Sequence, residues 1–354
     1  MIQKKQLVFD AERMKYPHTG LYHYCLQLGL ALQKEIDENT EELKFYVRPG
    51  HEKSFGENAH YIEQHGLHKF FMPTTNATVW HTTYQATNYF PFRKKVKIVF
   101  TIHDLNVVHE NKMSPIRLKK ELDKIQKRID AADHIVAISQ FTLSDINQHL
   151  KLNNKPATVI HNGCNIQHIQ NITAPKQLPA GEFLFTIGTI NAKKNFHVLP
   201  SLLVGNNMQL FIAGITDDEN YKQVIIQEAE KNGVAERVIF TGPINENDKQ
   251  WYMKNCEAFV FPSLAEGFGL PVIEAMYFGR PVILSTATAL PEIGGTDAFY
   301  FNDFEPNNMR TVLQNALKIF KQNPELGDKM KARAKMFTWA DAAKKYLEVY
   351  RSLY

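Results

Sequence analysis

Cysteine is scarce in this chain, with three among 354 residues, Cys25, Cys164 and Cys256. They are odd in number and far apart, with neither C-x-x-C spacing nor a neighbouring histidine pattern. This excludes a disulfide framework, gives no zinc site and fits a reducing compartment. Long apolar runs are also missing. No stretch approaches the ~20 apolar residues of a membrane span, and the opening MIQKKQLVFD holds no apolar signal core, so a soluble, cytoplasmic protein is expected. An excess of one charge is missing as well: 41 Lys and Arg against 37 Asp and Glu leave a net charge of +4. A balance so near neutral does not point to nucleic acid as a partner.

What is present is a large apolar fraction, 44% of the residues, in a chain too long for one ordinary core. Two domains are the natural expectation. Short apolar strands alternate with helical patterns along the chain: Lys5 to Asp10, Val96 to Ile102, Ile135 to Ile138, Glu182 to Gly188, Gln209 to Gly214 and Val238 to Gly242 all read as strands. Strand and helix in alternation predict parallel α/β sheets. Asn165 to Gly181 is polar, holds Pro175 and Pro179 and has no periodicity, which reads as a linker. The expected division is residues 1–170, then 171–337, with 338–354 as a final helix.

The most informative stretch is FVFPSLAEGFGLPVIEAMYFGRPVILS, Phe259 to Ser285. Strands at Ala258 to Phe261 and Pro281 to Leu284 flank a helix that opens at Pro271 and stops at Gly279, because proline suits the first helical turn and glycine the residue past the last. Gly267 and Gly269 bracket Phe268 and let the backbone approach another molecule. The amides from Leu270 onward open a helix, which attracts anions. Glu266 precedes the turn and Glu274 lies one helical turn inside it, so both carboxylates can face the rim where open α/β sheets bind ligands. Taken singly, Glu274 equally well complements the helix dipole and Glu266 is a solvated loop acid.

The whole string Glu-Gly-Phe-Gly-Leu-Pro-x-x-Glu resembles the E-x7-E signature of retaining nucleotide-sugar glycosyltransferases of family 4. That resemblance implies the GT-B fold, two Rossmann-like domains facing across a cleft, with a C-terminal helix that crosses back to the first. It also assigns residues. Glu274 would hold the ribose diol; Gly267, Phe268, Gly269 and Leu270 would meet sugar and phosphate; Glu266 would sit beside the transferred sugar. Lys193 and Lys194 resemble the family's G-T-x-x-x-R-K-N segment and would neutralise the diphosphate, with Lys193 standing where arginine is usual. Lysine is a point charge there and cannot grip phosphate in a bidentate fork. Ile244 would lie at the nucleotide base, and Gly20 in the first loop under the donor phosphates or the acceptor. His103, of a His-Asp pair ending an apolar strand, would reach the donor sugar.

The implied reaction moves a hexosyl group, with retained configuration, from a nucleoside diphosphate sugar to a glycan or lipid-linked glycan in surface polysaccharide synthesis. Mannose from GDP is preferred over a UDP-sugar. No cofactor and no metal are expected, since no Asp-rich motif lies near the lysines and the departing phosphate can take the acceptor's proton. His81 and Gln85 are candidate acceptor contacts in the aromatic stretch Val79 to Phe92. Basic residues at 93–128, including Arg93, Lys94, Arg117, Lys119, Lys120, Lys124, Lys127 and Arg128, form a candidate contact with the anionic inner membrane face, or a solvated helix surface. Two other readings are a carbohydrate hydrolase or phosphorylase that uses Glu266 and Glu274 as its carboxylate pair, and a binding scaffold without turnover.

Overall fold

A computed structural model describes residues 3–354, apart from 18, 93, 94, 111, 112, 165, 167, 168 and 170. Arg93 and Lys94, expected in the basic face, therefore lie outside the described residues. The chain forms two compact units, one of Met1–Asn165 with Phe337–Tyr354, the other of Ile166–Met336.

Unit 1 begins with β1 (Lys5–Asp10), α1 (Gly20–Glu35), β2 (Glu41–Val47), β3 (His60–Glu63), β4 (Val79–Thr82) and β5 (Lys97–Ile102). It continues with α2 (Asn106–His109), α3 (Pro115–Ala131), β6 (His134–Ala137), α4 (Gln140–His149) and β7 (Ala157–Val159). The seven strands pair in the order β3-β2-β1-β4-β5-β6-β7, all parallel. The strands read as near-continuous apolar runs because helices cover both faces; β5 is buried from Ile98 to Ile102. Helix starts follow local chemistry, with Thr19, Ser114 and Ser139 each accepting a backbone N–H three residues on.

Unit 2 runs β8 (Phe183–Ile187), β9 (Gln209–Ala213), α5 (Glu219–Lys231), β10 (Val238–Gly242), α6 (Glu246–Asn255), β11 (Ala258–Phe261) and α7 (Leu270–Tyr277). Next come β12 (Val282–Ser285), α8 (Leu290–Gly294), β13 (Phe299–Phe301), α9 (Pro306–Gln322) and α10 (Glu325–Lys335). Its sheet is parallel too, in the order β10-β9-β8-β11-β12-β13. The paired lysines are followed by a 3-10 stretch rather than an α-helix, Phe196–Leu203, with Pro200 inside it. Proline has no N–H for the α-helical ladder and clashes with the carbonyl four residues back.

The last helix, α11 (Trp339–Arg351), belongs to unit 1, where it packs on α1. A Cβ on Gly163 would lie 2.3 Å from the Trp339 nitrogen, so only glycine lets the returning chain pass. A buried polar chain then anchors the helix. Tyr24 and Tyr346 share a hydroxyl bond of 2.8 Å, Tyr346 meets Thr101 Oγ1 at 3.0 Å, Thr101 meets His81 Nε2 at 2.8 Å, and Tyr350 meets His81 Nδ1 at 2.6 Å. At the far end Arg351 grips Glu41 with two bonds of 2.8 Å.

His81 is thus a core residue with both ring nitrogens committed, and this corrects the expectation that it faces an acceptor. Burial, and then His103, hold its pKa down at about 3, so it stays neutral. Tyr350→Phe should leave Nδ1 of the buried imidazole unpaired and destabilise the protein by about 1 to 3 kcal/mol. Urea or thermal unfolding, with α11 followed by hydrogen exchange, checks this.

Candidate active site

In each sheet the strand order reverses at one point, and ligands of open α/β sheets bind outside the carboxyl ends of the strands there. In unit 2 that point lies between β8 and β11. The chain leaving β8 carries Lys193 and Lys194; the chain leaving β11 carries Ser263 and Glu266. Lys194 Nζ lies 2.5 Å from Glu266 Oε1, and Ser263 Oγ donates to the same oxygen at 2.6 Å. Both ionic side chains are largely buried, 12% and 14% exposed. The ammonium also sits 4.9 Å from the centre of the Phe261 ring.

Burial alone would raise the Glu266 carboxyl. The charges of Lys194 and Lys193, with hydrogen bonds from Lys194 and Ser263, outweigh it and hold the pKa below the ordinary 4.5. The general acid of a hydrolase needs a raised carboxyl, so Glu266 is unsuited to that one role. Backbone geometry fixes the pair from both sides. Leu264 N donates to Lys193 O at 2.9 Å, and Glu266 N donates to Thr288 Oγ1 at 2.9 Å.

Neighbouring strands leave the sheet through glycines whose backbones approach closely. β8 and β9 run directly into Gly188 and Gly214, and β10 ends at Gly242. A Cβ on Gly214, whose φ is +136°, would lie 2.0 Å from the Gly188 carbonyl oxygen. Gly269, at φ +102°, is the residue before α7, and the helix starts one residue earlier than its proline. Gly267 and Phe268 are buried beside it and Leu270 is half-buried.

Glu274, one turn into α7, is 4% exposed. Its charge is met by a residue that sequence reasoning missed: Lys249 of α6, whose Nζ lies 3.1 Å from Glu274 Oε2 and 2.8 Å from Glu246 Oε2. Gln250, itself buried, donates to the other Glu246 oxygen at 3.0 Å. The only hint in the sequence is Glu246 three residues before Lys249 on one helix face. Thr288 was missed because its partner Glu266 lies 22 residues away, and Ser263 because a loop serine three residues before a glutamate carries no distinctive signal. Ile244 lines a groove of about 700 Å³ with Thr173 to Gln177, Asn247 and Tyr252. That lining includes none of Lys193, Lys194, Glu266 or Glu274.

In unit 1, His103 leaves β5 at the corresponding rim. It is 6% exposed, packs edge-on to Tyr24 at 4.5 Å, and donates from Nε2 to Thr83 O at 2.8 Å. Burial lowers its pKa to about 4 despite that bond, so the ring is neutral. Gln85, expected at an acceptor, is instead a buried clasp for this turn: its Oε1 accepts from His103 N at 3.2 Å and its Nε2 donates to Asp104 O at 3.0 Å. Gly20 opens α1, and a Cβ there would meet open space. The basic stretch needs correcting too. Arg128 is buried and spends its guanidinium on Thr87 O and Lys124 O, while Lys124 pairs with Glu121 and Lys97 with Asp133. Among the described residues no cluster of His, Cys, Asp or Glu is arranged to hold a metal ion.

Two parallel α/β units, with paired lysines and carboxylates at the switch point of the second, define a GT-B enzyme of glycosyl transfer. Comparison with known proteins agrees. The model of glycosyl transferases group 1 matches residues 170–337, and that of glycosyltransferase family 4 matches residues 51–168. The chain belongs to the family-4 type of group 1 glycosyltransferases. It is 25% identical to O-antigen chain mannosyltransferase B of Escherichia coli over 98% of this chain and 100% of that one. It is 29% identical to the serotype-specific mannosyltransferase WbdA of Escherichia coli over 60% of this chain and 28% of that one. In fold it matches sucrose-phosphate synthase of Thermosynechococcus elongatus with TM-score 0.78, at 18% identity and 99% coverage of both chains. Anabaena Alr3699/HepE in complex with UDP and glucose matches with TM-score 0.74, at 15% identity over 98% of this chain and 100% of that one.

Removing one partner of a buried pair leaves an uncompensated charge. Lys249→Met should therefore cost about 3 kcal/mol, and Lys249→Met with Glu274→Gln distinctly less; denaturant midpoints compare them. The depressed Glu266 carboxyl contributes stability that is complete above pH 4.5 and lost as pH falls through its lower folded value. Lys194→Met should abolish that acid-side contribution, read from melting temperature against pH.

Proposed function

We propose that the chain transfers a mannosyl group, with retained configuration, from GDP-mannose to a glycan or lipid-linked glycan acceptor of surface polysaccharide synthesis. Unit 2 takes the nucleotide sugar and unit 1 the acceptor. The observation that carries this reading is the Lys194–Glu266 pair across the β8–β11 switch, with Glu274 on the adjacent helix. Cations and an open backbone rim suit a diphosphate leaving group, because preorganised charge stabilises the negative charge that develops on it. Lys194 would meet the departing phosphate, Lys193 would add a second cation, and Glu274 would accept from the two ribose hydroxyls. The mannosyl group is supported by the relatives' names, and the GDP base by the family resemblance alone.

Charge balance by lysine also supports transfer without a resident metal. The departing phosphate would take the acceptor's proton, so no strong base is needed. His103, neutral and fixed through Nε2, would offer the sugar a polar, uncharged surface. Gly20 leaves room at the start of α1 for a substrate group. The basic residues of α3 that remain exposed would meet an anionic membrane face only weakly, given their acidic neighbours.

Titration of GDP and UDP by calorimetry, with donor turnover in a chelator, tests the reading. GDP should bind more tightly than UDP, and Glu274→Ala should weaken binding about tenfold or more, the worth of a charge-assisted hydrogen bond. Lys194→Ala should chiefly lower the transfer rate, and excess EDTA should leave the rate unchanged. Undiminished nucleotide affinity in Glu274→Ala would remove the ribose assignment.

A further inference from the structure

Unit 1 has its own charged centre at its switch point, where β1 lies beside β4. A 3-10 turn, Glu12–Lys15, follows β1 and carries Arg13. The guanidinium carbon lies 4.3 Å from the ring centre of Tyr84, just past β4, and 4.7 Å from that of Tyr16. A ring face attracts the cation's charge but leaves the N–H donors in the guanidinium plane unserved. Nε is buried and, among the described residues, donates to nothing. Among the described residues two acids lie near it: Glu12 comes no closer than 3.9 Å to Nη1, beyond hydrogen-bond reach, and is engaged by Lys15, and Asp10 interacts with it electrostatically. The Arg13 side chain is 21% exposed, so an anion can approach from solvent.

This arrangement mirrors unit 2 in one respect: a cation from the exit of one strand meets a group from the exit of the strand across the switch. It differs in another. Lys194 has its carboxylate, whereas the Arg13 fork is oriented by aromatic rings and its Nε, among the described residues, has no acceptor. Planar donors held in one orientation match the oxygens of a phosphoryl group. The surroundings do not cancel the charge. Lys15 adds a second cation, and burial raises the Asp10 carboxyl to about 8, so it keeps its proton at neutral pH and leaves Glu12 as the acid opposing the two cations in this turn.

We propose that Arg13, held by Tyr16 and Tyr84, is a phosphoryl-binding residue of unit 1. The phosphoryl oxygens come from a phosphate borne by the acceptor or from the diphosphate of the donor. Naming these two sources rests on the transfer reading; the anion site does not.

The test uses the full chain and calorimetric titration with inorganic pyrophosphate, GDP and UDP. The variants are Arg13→Gln, Arg13→Lys and Tyr84→Leu, each also combined with Lys194→Ala, which removes the phosphate-facing cation of unit 2. In the Lys194→Ala background, Arg13→Gln should weaken pyrophosphate about tenfold, as loss of a charge-assisted hydrogen bond does. Arg13→Lys should recover part of it, because the charge returns without the fork. Tyr84→Leu should weaken it while keeping the charge.

If GDP or UDP affinity falls in parallel, the source is the donor; if it does not change, the source is the acceptor. Pyrophosphate binding equal to that of Lys194→Ala alone, in an Arg13→Gln protein with an unchanged melting temperature, overturns the site. Should Arg13→Gln fail to fold, equal binding by Arg13→Lys and Tyr84→Leu overturns it instead. If neither nucleotide binds the wild type but pyrophosphate still responds to Arg13, the transfer reading falls and the anion site stands.

Discussion

Parallel pairing is the constraint on which the rest of this structure depends. It sends the carboxyl end of every strand to the same edge of its sheet, so residues that follow strands far apart in sequence meet on one rim. In unit 2 this brings Lys194, after β8, to Glu266, after β11. In unit 1 it brings Arg13, after β1, to Tyr84, after β4. Strand order decides which exits adjoin, and both of these pairs meet where the order reverses.

Burying carboxylates on that rim creates an electrostatic demand that the chain meets locally. An ionised carboxylate taken from water needs a partner and hydrogen bonds. Glu266 has Lys194 and Ser263; Glu274 has Lys249. Each glutamate thus has its own cation, from a different element, and the two lysines stay independent.

Unit 1 contrasts with this. Its rim histidine is neutral and tied to a backbone carbonyl, and its second histidine is deep in the core as the hub of a tyrosine and threonine chain. The polar chain does for α11 what a hydrophobic face alone would not: it fixes the register of the helix, because each hydroxyl has one correct partner. The glycine at Gly163 permits the close passage, and the Arg351 fork on Glu41 closes the far end.

The alternation of strand and helix and the class of the site could be read from residue order alone, although the strands at Glu41–Val47, His60–Glu63 and Phe299–Phe301 could not. Apolar strands alternating with capped helices give parallel sheets, and Glu266, the glycine turn and Glu274 lie within one β-α-β unit, so their spacing is carried by local geometry. Lys194 was found by its motif. His81 and Gln85 were misread because a polar residue in an apolar stretch looks the same whether it faces a ligand or satisfies a buried neighbour. Lys249, Thr288 and Arg13 had no readable role, because each depends on a partner brought near only by strand order and helix packing. Sequence determined which chemistry the rim contains, through short-range spacing. Tertiary structure decided which charge answers which, since Coulomb and hydrogen-bond energies depend on separations in space that the order of residues does not contain.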